Sequence, residues 1–281
     1  MDIVVGGFGE LRNAACPGIE QLILKAGGNA SNDSDDAALL SRGRLLADVP
    51  SPTWMELHTA ADGSQVLYAV LEDTNEIASF RVEGGAGDSL RLVELSRVPT
   101  PGHAVTHVVF VCDDEGQGRL ITADYADGYV CVHPVTESGV ILEVAQMLRG
   151  EGHGPLPKPD QAASLAFVPW NALQGNAGAA AASEGIAGLA YVGLRGSERI
   201  VTLLWDGKQL TRLDEPDVLG WRGRGIDCAG SRPRHLLAIG NLLLAANEAS
   251  NNVAIFRLSA DGEPNLAATL PSGAPTVFVR L

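Results

Sequence analysis

A sixteen-residue pattern recurs four times along the chain, and it restricts the possible folds more than any other feature of the sequence. The copies are LYAVLEDTNEIASFRV from Leu67, LITADYADGYVCVHPV from Leu120, AYVGLRGSERIVTLLW from Ala190 and LLAANEASNNVAIFRL from Leu243, and they align without a gap. Their starts lie 53, 70 and 53 residues apart. The longer interval contains NALQGNAGAAAASEGIAG, which has little apolar bulk to pack and Gly and Asn to interrupt regular structure. A surface insertion is therefore expected at about residues 171–188. Each copy consists of an apolar, β-branched or aromatic run, a polar turn and an alternating run, which together spell a β-hairpin. A strand candidate precedes each hairpin (PTWMELH, VTHVVFV, AASLAFV, PRHLLAI) and another follows it (LRLVELSRV, GVILEVAQML, QLTRLDEP, PNLAATL). Four antiparallel strands in each unit of about 50 residues are the signature of a β-propeller blade.

The two ends of the chain complete each other in this scheme. The N-terminus begins with a second-strand pattern, DIVVGG, followed by GIEQLILK and RGRLLADV as third and fourth strands, so its blade lacks a first strand. The C-terminal APTVFVRL echoes SPTWMELH and is expected to supply it, because a ring that joins its last segment to its first leaves no exposed sheet edge there. The expectation is an all-β fold: one β-propeller domain over residues 1–281, with five blades starting near residues 2, 52, 103, 162 and 232. A β-sandwich of irregular strands does not account for the recurrence.

Charge narrows the possible partners. A formal net charge of −14 argues against nucleic-acid backbones and anionic membrane surfaces, which require a basic footprint. The opening MDIVVGGFGELR lacks the basic start and long apolar centre of a secretory signal, and no apolar run approaches a membrane span, so a cytoplasmic location is expected. The four cysteines (Cys16, Cys112, Cys131, Cys228) show no C-x-x-C spacing and read as small, reduced hydrophobes. The six histidines are scattered, and neither H-E-x-x-H, a P-loop nor G-x-S-x-G occurs. No metal or cofactor is expected.

Functional residues are instead sought in the columns of the repeat. In an antiparallel pair the start of a blade's first strand lies beside the end of its second. The sixth position of the aligned windows carries Glu72, Tyr125, Arg195 and Glu248. The third position of the first strands carries Trp54, His107, Ser164, His235 and Val277, with Arg234 immediately before His235. Carboxylate, guanidinium and imidazole groups gathered in one place can bind an anion and move a proton.

At these residues the chain resembles the β-propeller lactonase family, which includes bacterial cycloisomerase-type 6-phosphogluconolactonases and fungal muconate-lactonizing enzymes. SPTWMEL with LYAVLED, TADYADGYVCVHPV, YVGLRGSERI, SRPRHLLAI with LLAANEASNNVAIFRL, and the terminal APTVFVRL look like that family's successive blade motifs. The resemblance implies a site made of an Arg and a His in a P-R-H strand, here Arg234 and His235, and a Glu in an N-E turn, here Glu248. An Arg in an N-R-G turn, matched here by Arg195 in the R-G of GLRGSE, and a His from a His-x-His strand complete it. In place of that last motif the chain reads Gln161 and Ala163, and His153 is the nearest substitute. The resemblance also implies seven blades, two more than the repeats supply.

The reading that follows is a lactonase that opens a sugar lactone, with 6-phosphoglucono-δ-lactone the first candidate and Glu248, His235, Arg195 and Arg234 as catalytic residues. His107, Tyr125, Glu72 and His153 are expected to contact substrate. The rival reading is a catalytically inactive propeller that binds a ligand or a protein. A glycosidase would need two carboxylates across the channel, and only Glu72 and Glu248 are placed for that role. The three catalytic side chains Arg195, Arg234 and Glu248 must be largely sheltered if the enzyme reading is to hold.

Overall fold

In a computed structural model of the chain, residues 1–24, 40–85, 87–112, 116–126, 129–149, 162–173, 187–196, 198–205, 210–212 and 225–281 are described. Blade 1 contains β1 (Asp2–Gly7), β2 (Ile19–Leu24) and β3 (Leu40–Ala47). Blade 2 contains β4 (Pro52–Thr59), β5 (Gln65–Leu71), β6 (Glu76–Glu83) and β7 (Arg91–Pro99). Blade 3 contains β8 (Val105–Cys112), β9 (Gly118–Asp124), β10 (Tyr129–Pro134) and β11 (Gln146–Arg149). Blade 4 contains β12 (Ala162–Pro169), β13 (Gly188–Leu194), β14 (Arg199–Trp205) and β15 (Leu210–Arg212), and the short β16 (Ile226–Asp227) also pairs with β14. Blade 5 contains β17 (Pro233–Ile239), β18 (Leu242–Asn247), β19 (Asn252–Leu258) and β20 (Pro264–Pro271). The last strand, β21 (Pro275–Arg280), returns to blade 1 and gives the order β21-β1-β2-β3. The protein is thus a five-bladed β-propeller, and its final strand pairs where the repeat places it. Of the Ala/Gly-rich insertion, residues 174–186 lie outside the described residues.

The burial pattern explains the strand sequences. Second strands are apolar almost throughout because both of their faces are covered: β5 (QVLYAVL) and β18 (LLLAAN) each bury six consecutive residues. The outer strand β7 has no fully buried residue, and its exposed positions include Arg91, Glu94 and Arg97. Charges along such an edge discourage pairing with another chain.

Blades 1 to 3, with β21, form one compact unit, and blades 4 and 5 form another. In the first unit, Val4, Ile19, Met55, Leu67, Ala69, Phe80 and Val277 pack in one cluster, so the closing strand contributes directly to that core. Thr276 is fully buried, and its hydroxyl lies 3.0 Å from the Thr53 carbonyl and 3.3 Å from that of Gly6. In the second unit, Tyr191 packs with Leu189, Leu243, Ala245 and Phe256, and its hydroxyl donates to the Gly262 carbonyl at 2.7 Å. Cys16, Cys131 and Cys228 are buried, and burial pushes the thiols of Cys16 and Cys228 up to about 11. Among the described residues no helix is long and apolar enough to cross a membrane.

Two backbone features recur where a first strand begins. The residue ahead of the strand has positive φ: Ser51 (44°), Ala104 (56°), Arg232 (58°) and Ala274 (36°). For a residue with a Cβ this conformation costs on the order of 1 kcal/mol, so the surrounding structure must hold it. The sixth-position amide does so by donating to that residue's carbonyl: Glu72 to Ser51 at 3.1 Å, Tyr125 to Ala104 at 2.9 Å and Glu248 to Arg232 at 3.2 Å. The second feature is a register shift within the first strand, which leaves Thr53, Thr106, Ala163 and Arg234 as the extra residue opposite the second strand. A bulge of this kind bends the strand and re-aims a side chain.

Candidate active site

In the unit of blades 4 and 5, the β17 bulge turns Arg234 toward the end of β18, where Glu248 begins the turn. Arg234 Nη1 donates to Glu248 Oε2 at 3.2 Å. Arg195, which follows β13, brings its Nη2 to 3.6 Å from the same oxygen. Arg232 Nη1 lies 3.8 Å from the other oxygen, Oε1. One carboxylate is therefore met by three guanidiniums, and only the Arg234 contact has hydrogen-bond length. The side chains of Arg195, Arg234 and Glu248 are 20%, 21% and 13% exposed, while that of Arg232 is 48% exposed.

Neighbouring side chains fix this turn. Asn247 is buried and donates to the Cys228 carbonyl at 2.9 Å, tying the end of β18 to the loop that leads into β17. The loop passes so close that a Cβ added at Gly230 would lie 2.4 Å from Asn247 Nδ2. Ser231 donates its hydroxyl to the Glu198 carboxylate, and Asn252 holds the Ala229 carbonyl at 2.9 Å. The N-E pair thus divides its work: Asn247 anchors the loop and Glu248 collects the arginines.

His235 follows Arg234 and faces Ala246 across the ladder. The residue keeps some accessible surface, but its ring is largely enclosed, and desolvation lowers its pKa to about 4. It is therefore neutral at pH 7. This shift links stability to pH. The unfolded chain titrates its histidines near 6.5, so stability from keeping His235 neutral is complete above that value and falls as the pH drops toward 4. The expected loss is on the order of 3 kcal/mol across that interval. Urea midpoints measured from pH 7.5 to 4.5 should fall more steeply for the wild type than for His235→Gln; parallel slopes would show that the imidazole is not desolvated.

Blade 2 repeats the geometry with different chemistry. The bulge residue Thr53 donates to Glu72 Oε2 at 2.9 Å, and Arg12, on the loop after β1, binds Glu72 at 2.9 Å and Asp73 at 2.6 Å. Arg12 also lies over the Phe8 ring, 4.7 Å from its centroid. Glu72, expected to contact substrate, is a buried carboxylate held by Arg12 and Thr53. His107 stacks on Trp54 with centroids 4.4 Å apart, and burial lowers its pKa. Tyr125 is 75% exposed, and Ser164 accepts from the Leu236 amide at 3.1 Å. His153 and Gln161 lie outside the described residues, and Ala163 occupies the bulge of β12.

Arg12 and Arg232 were not singled out by the sequence columns. Arg12 lies on a loop outside the repeat. Arg232 was legible only to a register that counted one residue ahead of P-R-H, where the left-handed entry residue falls.

The profile of the family described as lactonase, seven-bladed β-propeller, matches residues 27–172, just over half of the chain. The chain belongs to this lactonase family. It does so with five blades, and Arg195, Arg234 and Glu248 lie beyond the matched segment. Among solved structures, this lactonase-family chain is similar to the periplasmic gluconolactonase PpgL of Pseudomonas aeruginosa, at 18% identity and a TM-score of 0.61 over 99% of this chain and 98% of that one. A provisionally named 6-phosphogluconolactonase of Bacteroides fragilis aligns at 19% identity and a TM-score of 0.41, over 96% of this chain and 67% of that one. No curated protein sequence matches the chain.

Proposed function

We propose that the chain hydrolyses a sugar lactone, with 6-phosphoglucono-δ-lactone, an intermediate of the pentose phosphate pathway, as the first candidate. The observation that carries this reading is the sheltered Arg195–Glu248–Arg234 cluster, in a chain that belongs to a lactonase family. The fold likeness to a gluconolactonase of nearly the same extent supports it further.

In this mechanism Glu248 takes a proton from the attacking water through Oε1, the oxygen with the looser ion pair, while Arg234 steadies Oε2. Neutral His235 assists the proton transfer. Arg195 and Arg234 stabilise the negative charge that develops on the lactone carbonyl oxygen, a contribution of several kcal/mol in a sheltered site. Collapse of the tetrahedral intermediate breaks the ring C–O bond, and Glu248 gives the proton it took from water to the ring oxygen, which leaves as an alcohol and restores the carboxylate.

A catalytically inactive, ligand-binding propeller is the second reading. It is favoured by Ala163 standing in the β12 bulge, where the resemblance implies the His-x-His strand. The deciding experiment is hydrolysis of freshly generated 6-phosphoglucono-δ-lactone and of glucono-δ-lactone, read against the spontaneous rate. Turnover well above background supports the enzyme. A rate at background on both lactones leaves the binding module.

A further inference from the structure

The ninth position of the repeated window is Asn75 in blade 2, Glu198 in blade 4 and Asn251 in blade 5. In all three this residue, between the second and third strands, has a left-handed backbone, with φ of 52°, 59° and 53°. In all three its carbonyl accepts the amide of a residue ahead of the next first strand: Thr100 at 2.7 Å, Cys228 at 3.0 Å and Ser272 at 2.9 Å. The side chain adds a second tie. Asn75 Oδ1 accepts from the amide of the entry residue Ala104 at 2.6 Å, and Asn251 Oδ1 from that of Ala274 at 2.9 Å. One residue thus clamps the hairpin to the entry of the strand that follows.

In blade 4 the clamp is a glutamate. Asn tolerates the left-handed region well and Glu does not, so the residue is held there against its own preference. The exposed Glu198 carboxylate takes the hydroxyl of Ser231 instead of the entry amide. The other polar atoms of Ser231 are held by the neighbouring hairpin: its amide donates to Ser250 Oγ at 2.7 Å, and its carbonyl accepts from Ala249 at 3.1 Å. Arg195 precedes Glu198 by three residues and Glu248 precedes Ala249 by one, so the Glu198–Ser231 bond ties the segment that carries Arg195 to the turn that carries Glu248. Those two side chains face each other at 3.6 Å. Backbone strain persists where the surrounding structure and its function demand it. We propose that Glu198 is a positioning residue of this site, which through Ser231 sets the placement of Arg195 relative to Glu248. The inference rests on the lactonase reading of that cluster and adds the group that holds its two turns in place.

The test measures kcat and KM on 6-phosphoglucono-δ-lactone and glucono-δ-lactone, with the melting temperature alongside, for the wild type, Glu198→Asn, Glu198→Gln and Ser231→Ala. Glu198→Asn installs the residue that serves this bend in blades 2 and 5, so its melting temperature should match or exceed that of the wild type. Its kcat should nonetheless fall at least about tenfold with KM little changed, because displacing a group that acts in the transition state lowers turnover more than ground-state binding. Ser231→Ala should show the same split, and Glu198→Gln, which keeps the reach and an accepting oxygen, should retain most of kcat. A kcat in Glu198→Asn or Ser231→Ala within about threefold of the wild type, or an equal fall in Glu198→Gln, overturns the positioning role and leaves the lactonase reading standing. If the wild type hydrolyses neither lactone, the lactonase reading fails by itself, and the role is read from the Nε–Hε resonance of Arg195, identified by its loss in Arg195→Lys. A shift of that resonance in Glu198→Asn and Ser231→Ala but not in Glu198→Gln upholds the tie. A resonance unmoved in Glu198→Asn, or moved equally in Glu198→Gln, overturns it.

Discussion

Glu248→Gln is expected to lower kcat on the lactone substrate by about 10²- to 10⁴-fold, the usual range for loss of a positioned general base. The substitution retains an oxygen that can accept from Arg234, so the protein should stay folded while the proton acceptor is lost. Removing the carboxylate charge also takes away the anion that Arg195, Arg232 and Arg234 share. A modest loss of stability is therefore expected alongside the kinetic one, and it should diminish as salt screens the three cations. Stopped-flow detection of proton release, which outruns spontaneous hydrolysis, measures kcat directly, and urea unfolding at two salt concentrations measures the rest. If kcat falls less than about threefold, Glu248 is an anchor for the arginines and the water must be activated by another group.

Deleting residues 275–281 is expected to abolish cooperative unfolding of the unit that holds blades 1 to 3. The deletion strips β1 of one of its two neighbours, exposes the edge of a strand whose residues are all buried, and removes Val277 from the cluster formed with Val4, Met55, Leu67 and Phe80. It also removes the Thr276 hydroxyl that meets the Gly6 and Thr53 carbonyls. Because the truncated chain is prone to aggregate, Val277→Ala provides the graded version, with an expected cost of about 2–3 kcal/mol from lost burial and the cavity left behind. Hydrogen exchange at the amides of β1 (Asp2–Gly7) should speed up in the same variant. Unaltered exchange there would separate the closing strand from the stability of blade 1.

These two experiments correspond to the parts of the molecule that the sequence disclosed best. The 53-residue spacing and the echo of SPTWMELH in APTVFVRL located every blade, because strand pairing repeats a hydrophobic pattern that survives changes in individual side chains. The Arg195, Arg234 and Glu248 grouping was also legible, since Arg195 and Glu248 share a repeat column and Arg234 stands next to the other, and the three meet in the unit of blades 4 and 5. Other site details depend on geometry that a pattern cannot encode. One example is the first-strand bulge, which makes Thr53 and Arg234, one residue ahead of the expected column, the partners of the sixth-position carboxylates. Likewise, Glu72 and Glu248 are equivalent by alignment yet differ in surroundings, because Arg12 reaches Glu72 from a loop that has no counterpart in the repeat. Tyr125 shares their column but stays exposed, since its amide, not its ring, makes the structural contact.

That last distinction has an evolutionary consequence. The bond from the sixth-position amide to the carbonyl of the left-handed entry residue is made entirely by main-chain atoms, and it is the same whether the side chain is Glu72, Tyr125 or Glu248. The blade is assembled without consulting the residue it displays there. Where the side chain is exposed, as at Tyr125, mutation can therefore sample charge, size and aromaticity with little penalty in folding, as if trying tools in a fixed holder. A saturation library at Tyr125 should yield mostly soluble protein, and new side chains at such a position can arise without rebuilding the scaffold.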